Sequence, residues 1–139
     1  MPEPSFDDIQ VGQEIPPLVT RPISRYTLAL YAGASGDHNP IHIDIDFAKK
    51  AGMEDVFAHG MLVMAYLGRA LTNWVPQNAL RQFNTRFVAI THLGDSLTCG
   101  GKVVEKFEQD GEKRVRLQLG VMNQTGEVKV TGEAVVALS

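Results

Sequence analysis

The eight residues SGDHNPIH, at positions 35–42, concentrate groups that can move protons. Asp37 offers a carboxylate, and His42 offers an imidazole, a group of the kind that most often transfers protons in enzymes. Between them, Pro40 fixes its own backbone and biases Asn39 toward an extended conformation, which favours a loop held in one shape. If the chain folds back before His42, the carboxylate and the imidazole can converge on one water molecule. General acid–base chemistry requires that arrangement.

The same residues also allow a purely structural interpretation. Asp37 can close the loop by accepting hydrogen bonds from backbone N–H groups, and His42 can be a buried histidine whose nitrogens are satisfied by its neighbours. Spacing alone leaves both interpretations open. His38 and His92 are expected to be solvent-exposed loop residues.

A second candidate feature is the pair His59-Gly60, which precedes a strongly apolar run. The first amides of a helix have no intrahelical acceptor and form the positive end of the helix dipole, so they stabilise a carbonyl oxygen that gains negative charge. Gly60 has no side chain to keep a ligand away from that backbone. His59 is predicted to support the helix end and shape the site. A glycine that only permits a tight junction between loop and helix is the alternative for Gly60.

Other chemistries have weaker support in the sequence. The segment GASGD has Asp37 where a serine nucleophile elbow, G-x-S-x-G, requires glycine. A metal site built from Asp37, His38, His42 and His59 is chemically conceivable, but neither H-E-x-x-H nor a cysteine pair is present, so we predict no metal. The chain has no G-x-G-x-x-G or P-loop motif, and we therefore predict no nucleotide cofactor.

Composition indicates one ordinary globular domain spanning residues 1–139. The chain is 44% hydrophobic and 21% charged with a net charge of −3, which argues against a nucleic-acid partner. Cys99 is the single cysteine, so no internal disulfide is expected and a reducing compartment is favoured. The N-terminal MPEPSFDDIQ resembles no signal peptide, and the apolar MLVMAYLG is too short to span a bilayer. We predict a cytoplasmic protein without a membrane partner.

The elements that position these residues begin with helices. Ser24 is predicted to cap a helix over RYTLALYAGAS that ends at Gly36. Asp46 is predicted to cap a short helix through FAKKAG. A long helix over residues 60–75 is apolar on nearly all sides, which predicts that other structure encloses it, and Pro76 ends it.

Beyond Pro76 the pattern changes to β-structure. Asp110-Gly111 and the segment NQTGE are predicted to form hairpin turns that make the last three strands an antiparallel meander. An additional edge strand is predicted in PLVTRPI. The sequence thus predicts an α+β fold in which an antiparallel sheet covers the long helix, and the open sheet edges favour a dimer. The four predicted runs cover residues 80–90, 96–107, 113–122 and 127–138.

The whole segment YAGASGDHNPIHIDIDFAKKAGMEDVFAHGML, residues 31–62, closely resembles the signature of MaoC-like (R)-specific enoyl-thioester hydratases and 3-hydroxyacyl dehydratases. FDDIQVGQEI and TGEAVVAL also resemble the usual ends of that family. The resemblance implies the hotdog fold, with its sheet wrapped around a long helix, and a homodimer or a heterodimer with a related hotdog subunit. It implies a hydro-lyase of fatty acid metabolism, which hydrates trans-2-enoyl thioesters or dehydrates (R)-3-hydroxyacyl thioesters. No cofactor is implied beyond the coenzyme A or acyl carrier protein that carries the substrate.

The resemblance also implies roles for individual residues. The acid and the histidine of D-x-N-P-x-H fall on Asp37 and His42, which would hold and activate the reacting water. Asn39 matches the asparagine that shapes the loop, and the Gly60 amide matches the donor to the thioester oxygen. One departure is Gly68, because some bacterial hydratases carry there a serine that contacts the acid. The orientation of Asp37 must then come from elsewhere in this chain.

Two alternatives accompany this hypothesis. The protein could be a dehydratase subunit of a type II fatty acid synthase that acts on acyl carrier protein substrates. It could also be a non-catalytic hotdog module that binds acyl thioesters. Intact Asp37, Asn39, His42 and Gly60 favour an enzyme over the binding module.

Overall fold

A computed structural model describes residues 3–139 of the protein. It contains three α-helices, a five-stranded sheet and short 3-10 turns. The helices are α1 (Arg25–Ser35), α2 (Ile45–Lys50) and α3 (Gly60–Trp74). The strands are β1 (Leu18–Val19), β2 (Leu80–Phe87), β3 (Thr98–Gln109), β4 (Glu112–Met122) and β5 (Val128–Leu138).

Helix α1 begins and ends as its sequence predicts. Ser24 is the N-cap, and its hydroxyl accepts a hydrogen bond from the Thr27 amide at 3.2 Å. Gly36 follows the last turn with φ of 77°, a left-handed conformation that glycine adopts without steric cost. The chain therefore turns away from the helix immediately before Asp37.

The cap of α2 lies two residues earlier than predicted. Asp44, and not Asp46, is the N-cap, and its carboxylate accepts hydrogen bonds from the amides of Asp46 at 3.0 Å and Phe47 at 3.3 Å. The preceding turn of 3-10 helix, Pro40–His42, brings the chain to Asp44 in an extended conformation suited to capping. Asp46 instead lies in the first helical turn, where its negative charge interacts favourably with the positive end of the helix dipole.

Helix α3 is the central helix of the fold, although it is less enclosed than predicted. One side packs into the core, but Met61 is 54% exposed and Arg69 is also exposed. The helix is apolar around most of its circumference, so within this single chain part of its apolar surface faces solvent. The buried positions are Leu62, Val63, Leu67, Ala70, Leu71 and Trp74.

The sheet has the order β1-β3-β4-β5-β2, and every neighbouring pair is antiparallel. The predicted meander of β3, β4 and β5 is confirmed, and β4 buries alternate residues Val115, Leu117, Leu119 and Val121. β1 is only two residues long. β2 ends at Phe87, three residues before the predicted end, because the amides of Val88 and Ala89 turn to the carbonyl of Lys129.

The concave face of this sheet packs on α3 in one hydrophobic core, as expected of the predicted α+β hotdog fold. Irregularities in register within β3, and in the pairing of β2 and β4 with β5, help the sheet to curl. Cys99 is fully buried in β3, and burial raises the pKa of its thiol to about 11. None of the described helices is long and apolar enough to cross a membrane.

The α3 helix also lies along β2 in a regular register. The space beside Gly60 is filled by the ring of Phe87, and the space beside Gly68 by the ring of Phe83. Midway between the two glycines, the Thr85 hydroxyl donates to the sulfur of Met64 at 3.2 Å. Four helix residues advance about 6 Å and two strand residues about 6.6 Å, so the contacts stay in step along both elements.

Candidate active site

The loop after α1 is held in shape by its own polar side chains. The Asp37 amide donates to the Ser35 hydroxyl at 3.1 Å, and one Asp37 carboxylate oxygen accepts from the Asn39 amide at 3.2 Å. The Asn39 side chain in turn accepts from the Ile41 amide at 3.1 Å, and Pro40 begins the 3-10 turn. The backbone amide of Asn39 thus orients the carboxylate. Gly68 has no side chain that could make the contact expected of a serine at that position.

His42 is buried and fixed by one hydrogen bond. Its Nδ1 lies 2.7 Å from the backbone carbonyl oxygen of Phe57. Because a carbonyl only accepts, Nδ1 carries the proton, and in the neutral ring Nε2 keeps a lone pair. The Phe57 ring meets the imidazole edge-on, with centroids 5.2 Å apart, and further restricts its rotation.

His59 lies against both candidate proton-transfer residues. Its ring stacks on the ring of His42 with centroids 3.9 Å apart and an interplanar angle of 26°. Its Nε2 lies 3.2 Å from the backbone carbonyl of Asp37, while its buried Nδ1 has no hydrogen-bond partner among the described residues. Burial first, and then the adjacent His42, hold the pKa of His59 below its ordinary value.

Gly60 is the first residue of α3, next to His59. The His59 side chain does not cap the helix, and the first amide with an acceptor in this turn is that of Leu62, bonded to the His59 carbonyl at 3.1 Å. The Gly60 N–H is therefore available to a ligand. It also borders a mostly apolar cavity of about 300 Å³, whose walls include Val63, Phe87 and Val130.

The structure brings together the residues that the sequence singled out. Possible ligand atoms of Asp37, His42 and His59 all lie within 4.8 Å of one another. The lone pairs of the two stacked imidazoles lie in ring planes inclined by only 26°, an arrangement poorly suited to a shared metal ion. His38 is exposed and outside this group, as is His92. The absence of a metal stays a prediction.

Three residues of the site were missed by sequence reasoning. Phe57 supplies the carbonyl that fixes His42, and Tyr31 packs edge-on against His59 with centroids 4.8 Å apart. Burial, and then the charge of Asp37, raise the pKa of the Tyr31 phenol. Both residues belong to the segment that resembles the family signature, and that resemblance is the feature of the sequence that could have identified them. Phe87, which covers Gly60 from β2, has no such local signal.

Comparisons with known proteins indicate the family of this chain. The family model described as a MaoC like domain matches residues 8–125. An (R)-specific enoyl-CoA hydratase of Rhodospirillum rubrum is 29% identical over 133 residues, which cover 94% of this chain and 89% of that protein. A mitochondrial 3-hydroxyacyl-[acyl-carrier-protein] dehydratase of Arabidopsis thaliana is 33% identical over 78 residues, covering 56% of this chain and 47% of that protein.

A solved structure gives the same result in three dimensions. The unliganded R-hydratase PhaJ1 from Pseudomonas aeruginosa superposes with a TM-score of 0.84 at 32% identity, covering 97% of this chain and 86% of that one. The hotdog fold and the hydro-lyase class predicted from the sequence are confirmed at the level of the family. The matched length and the shared fold establish that this chain belongs to the MaoC-like domain family.

Proposed function

We propose that the protein hydrates trans-2-enoyl thioesters, or dehydrates (R)-3-hydroxyacyl thioesters in the reverse direction. The observation that carries the proposal is the convergence of Asp37 and His42 beside the free amide at the start of α3. The (R)-hydratase relatives support the reaction and its stereochemistry. Asn39, Pro40 and His59 shape the site, and the reaction uses no metal or cofactor beyond the substrate carrier.

In this mechanism, Asp37 and His42 hold one water molecule and manage its protons. The Nε2 lone pair of His42 accepts a proton as the water oxygen attacks C3, because Nδ1 is already committed to Phe57. The carboxylate of Asp37 has one oxygen bonded to Asn39 and a second that can orient the water. The proton taken from water is returned at C2, so the net change is addition of H and OH across the double bond.

The Gly60 amide stabilises the other end of the reacting group. As water adds at C3, negative charge collects on the thioester oxygen in an enolate-like state. A backbone donor aimed at such an oxygen typically contributes on the order of 3 kcal/mol to lowering the barrier. The apolar cavity beside Gly60 supports this placement, because low polarity strengthens the interaction between the amide and the developing charge.

The carrier and the assembly belong to the same proposal. The relative from Rhodospirillum rubrum is named for coenzyme A thioesters, and we propose coenzyme A for this chain. The similarity to the Arabidopsis dehydratase favours an acyl carrier protein as the second candidate. We also propose a cytoplasmic homodimer, with a heterodimer of related hotdog subunits as the alternative.

Hydration of crotonyl-CoA by the purified protein tests the activity. The expected result is loss of the enoyl absorbance, with (R)-3-hydroxybutyryl-CoA as the product in chiral analysis. Crotonyl attached to acyl carrier protein, assayed in parallel at equal concentration, compares the two carriers. Unchanged absorbance with both carriers, despite measurable thioester binding, would favour the non-catalytic binding module.

A further inference from the structure

The loop that carries Asp37 and His42 is tied to the rest of the molecule at very few points. Hydrogen bonds of the Asp37 backbone amide and carboxylate are local, to Ser35 and Asn39. Within residues 3–139, two hydrogen bonds join residues 36–43 to distant parts of the chain. One joins His42 to Phe57, 15 residues away, and the other joins Asp37 to His59, 22 residues away.

Packing alone does not explain a histidine at position 59. The residue is 1% exposed, and its Nδ1 is buried without a partner among the described residues. An unsatisfied buried polar atom costs free energy, whereas a phenyl ring would fill similar space without that cost. Groups that are locally unfavourable are retained most often at functional sites.

The imidazole makes two contacts, of which a phenyl ring would lose the hydrogen bond and an alkyl chain would lose both. The Asp37 carbonyl can only accept, so His59 Nε2 carries the proton and donates to it. The flat face of the ring lies on His42 and limits the positions that His42 can take. The same residue precedes Gly60, so its backbone sets where the Gly60 amide begins α3.

We infer that His59 is a positioning residue that aligns Asp37, His42 and the Gly60 amide with one another. It works as a neutral imidazole protonated at Nε2. It joins the loop with the proton-transfer groups to the helix end that holds the thioester oxygen. This role rests on the proposed hydration activity, since its kinetic consequence is measured in that reaction.

Three variants separate the hydrogen bond from packing. Gln in His59→Gln can place an amide N–H near the position of Nε2, whereas His59→Phe keeps an aromatic face but removes the donor. His59→Leu removes both. We expect His59→Phe to lower kcat at least roughly tenfold with little change in KM, because misplacement by an ångström can cost much more than that. We expect His59→Leu to lose more, and His59→Gln to recover a large part of the loss.

Thermal unfolding and ring ¹⁵N NMR complete the experiment. A folded His59→Phe variant with kcat within twofold of the unmodified protein would overturn the inference. So would a folded His59→Gln variant that loses as much kcat as His59→Phe. If His59→Phe does not fold, the comparison of His59→Gln with His59→Leu still decides, since the inference requires the kcat of His59→Gln to be several-fold above that of His59→Leu, and equal values would overturn it.

The NMR spectrum gives a readout that does not depend on activity. We expect the ¹⁵N shifts of His59 to report a proton on Nε2 and none on Nδ1 at pH 7. The opposite tautomer would contradict the hydrogen bond to Asp37 whether or not the protein hydrates thioesters. An unmodified protein that lacks activity while showing the expected tautomer would instead contradict the proposed function and leave the alignment of the loop intact.

Discussion

At the scale of single residues, Asp37 and His42 each use one side-chain atom in a structural hydrogen bond and keep a second atom that can contact a substrate. Asp37 uses one carboxylate oxygen for the Asn39 amide, and His42 uses Nδ1 for the Phe57 carbonyl. The structural interpretation and the catalytic interpretation of these residues are therefore compatible. The structural hydrogen bonds fix the orientation in which the remaining oxygen and nitrogen meet a substrate.

The first prediction tests these two residues directly. Asp37→Asn and His42→Ala should each lower turnover of crotonyl-CoA by at least about 10²-fold, the usual contribution of a general acid or base. His38→Ala is the matched control, since His38 lies beside Asp37 but is exposed. Circular dichroism verifies the fold. Near-normal turnover in either folded variant would show that the residue has been assigned the wrong role.

The second prediction concerns the dependence of stability on pH. Because the pKa of His59 is lowered in the folded protein, the unfolded chain binds more protons between that pKa and the ordinary value of 6.5. The contribution of neutral His59 should therefore be complete above about pH 6.5 and decline as the pH falls through the folded pKa. Denaturant unfolding of the protein and of His59→Phe, compared from pH 7.5 to 5, measures this contribution as a difference. Parallel curves for the two proteins would show that His59 does not titrate as proposed.

At the scale of elements, the start of α3 and the end of β2 form a single unit. A β-carbon at position 60 would lie 3.2 Å from the Phe87 ring, and one at position 68 would lie 3.3 Å from the Phe83 ring. The two glycines therefore allow a helix and a strand to approach closely at two points. The helix end that exposes the Gly60 amide is held at a fixed distance from the sheet by these rings.

The third prediction separates crowding from loss of the oxygen-binding amide. Gly60→Val should abolish most turnover and destabilise the protein by roughly 1–3 kcal/mol, a typical cost of overpacking. Adding Phe87→Ala should restore much of the stability, since the ring is half-exposed and its removal opens space. Turnover should stay low, because the branched side chain still obstructs the amide. A double variant that regains both stability and rate would indicate that the thioester oxygen is held elsewhere.

Much of the local structure was predictable because its causes are local. Ser24, Gly36 and Pro76 mark helix ends through capping and backbone geometry, and β4 shows its buried face by alternation. Asp46 was misassigned because Asp44 and Asp46 are equally good caps until the preceding turn is known. His42 stacks on His59, and the ring of Phe87 packs against Gly60. Both contacts join residues distant in sequence, and the periodicity of a sequence carries no information about such contacts.

At the scale of the whole molecule, the sheet has two unequal edges. β1 is two residues long, whereas β2 has eight residues and, within residues 3–139, is paired only with β5. Beyond β2, Val88 is 54% exposed, and Met61 at the start of α3 is exposed to the same extent. A long free edge with apolar neighbours is a site where a second chain can pair.

The fourth prediction is that the protein forms a dimer, with the sheets joined edge to edge and the long helices on one side. Light scattering at assay concentration should give twice the mass of the chain. Val88→Lys should weaken the assembly by placing a charge beside the β2 edge, whereas Val11→Lys, at an exposed valine near β3, should not. A fully active monomer would remove the argument from unsatisfied edges.

The regular contact of α3 with β2 also limits which changes in chain length the protein can tolerate. One residue deleted within β2 would shift the strand by about 3.3 Å and turn Phe83 and its neighbours to the opposite face. One residue inserted in α3 would rotate Gly68 by about 100° away from its ring. Changes in length are expected to be tolerated instead at Gln77 and Asn78, which are exposed in the connection between α3 and β2 and lie outside the repeated contacts. Site-directed insertion libraries should therefore recover folded proteins with extended connections and almost none with an altered helix or strand.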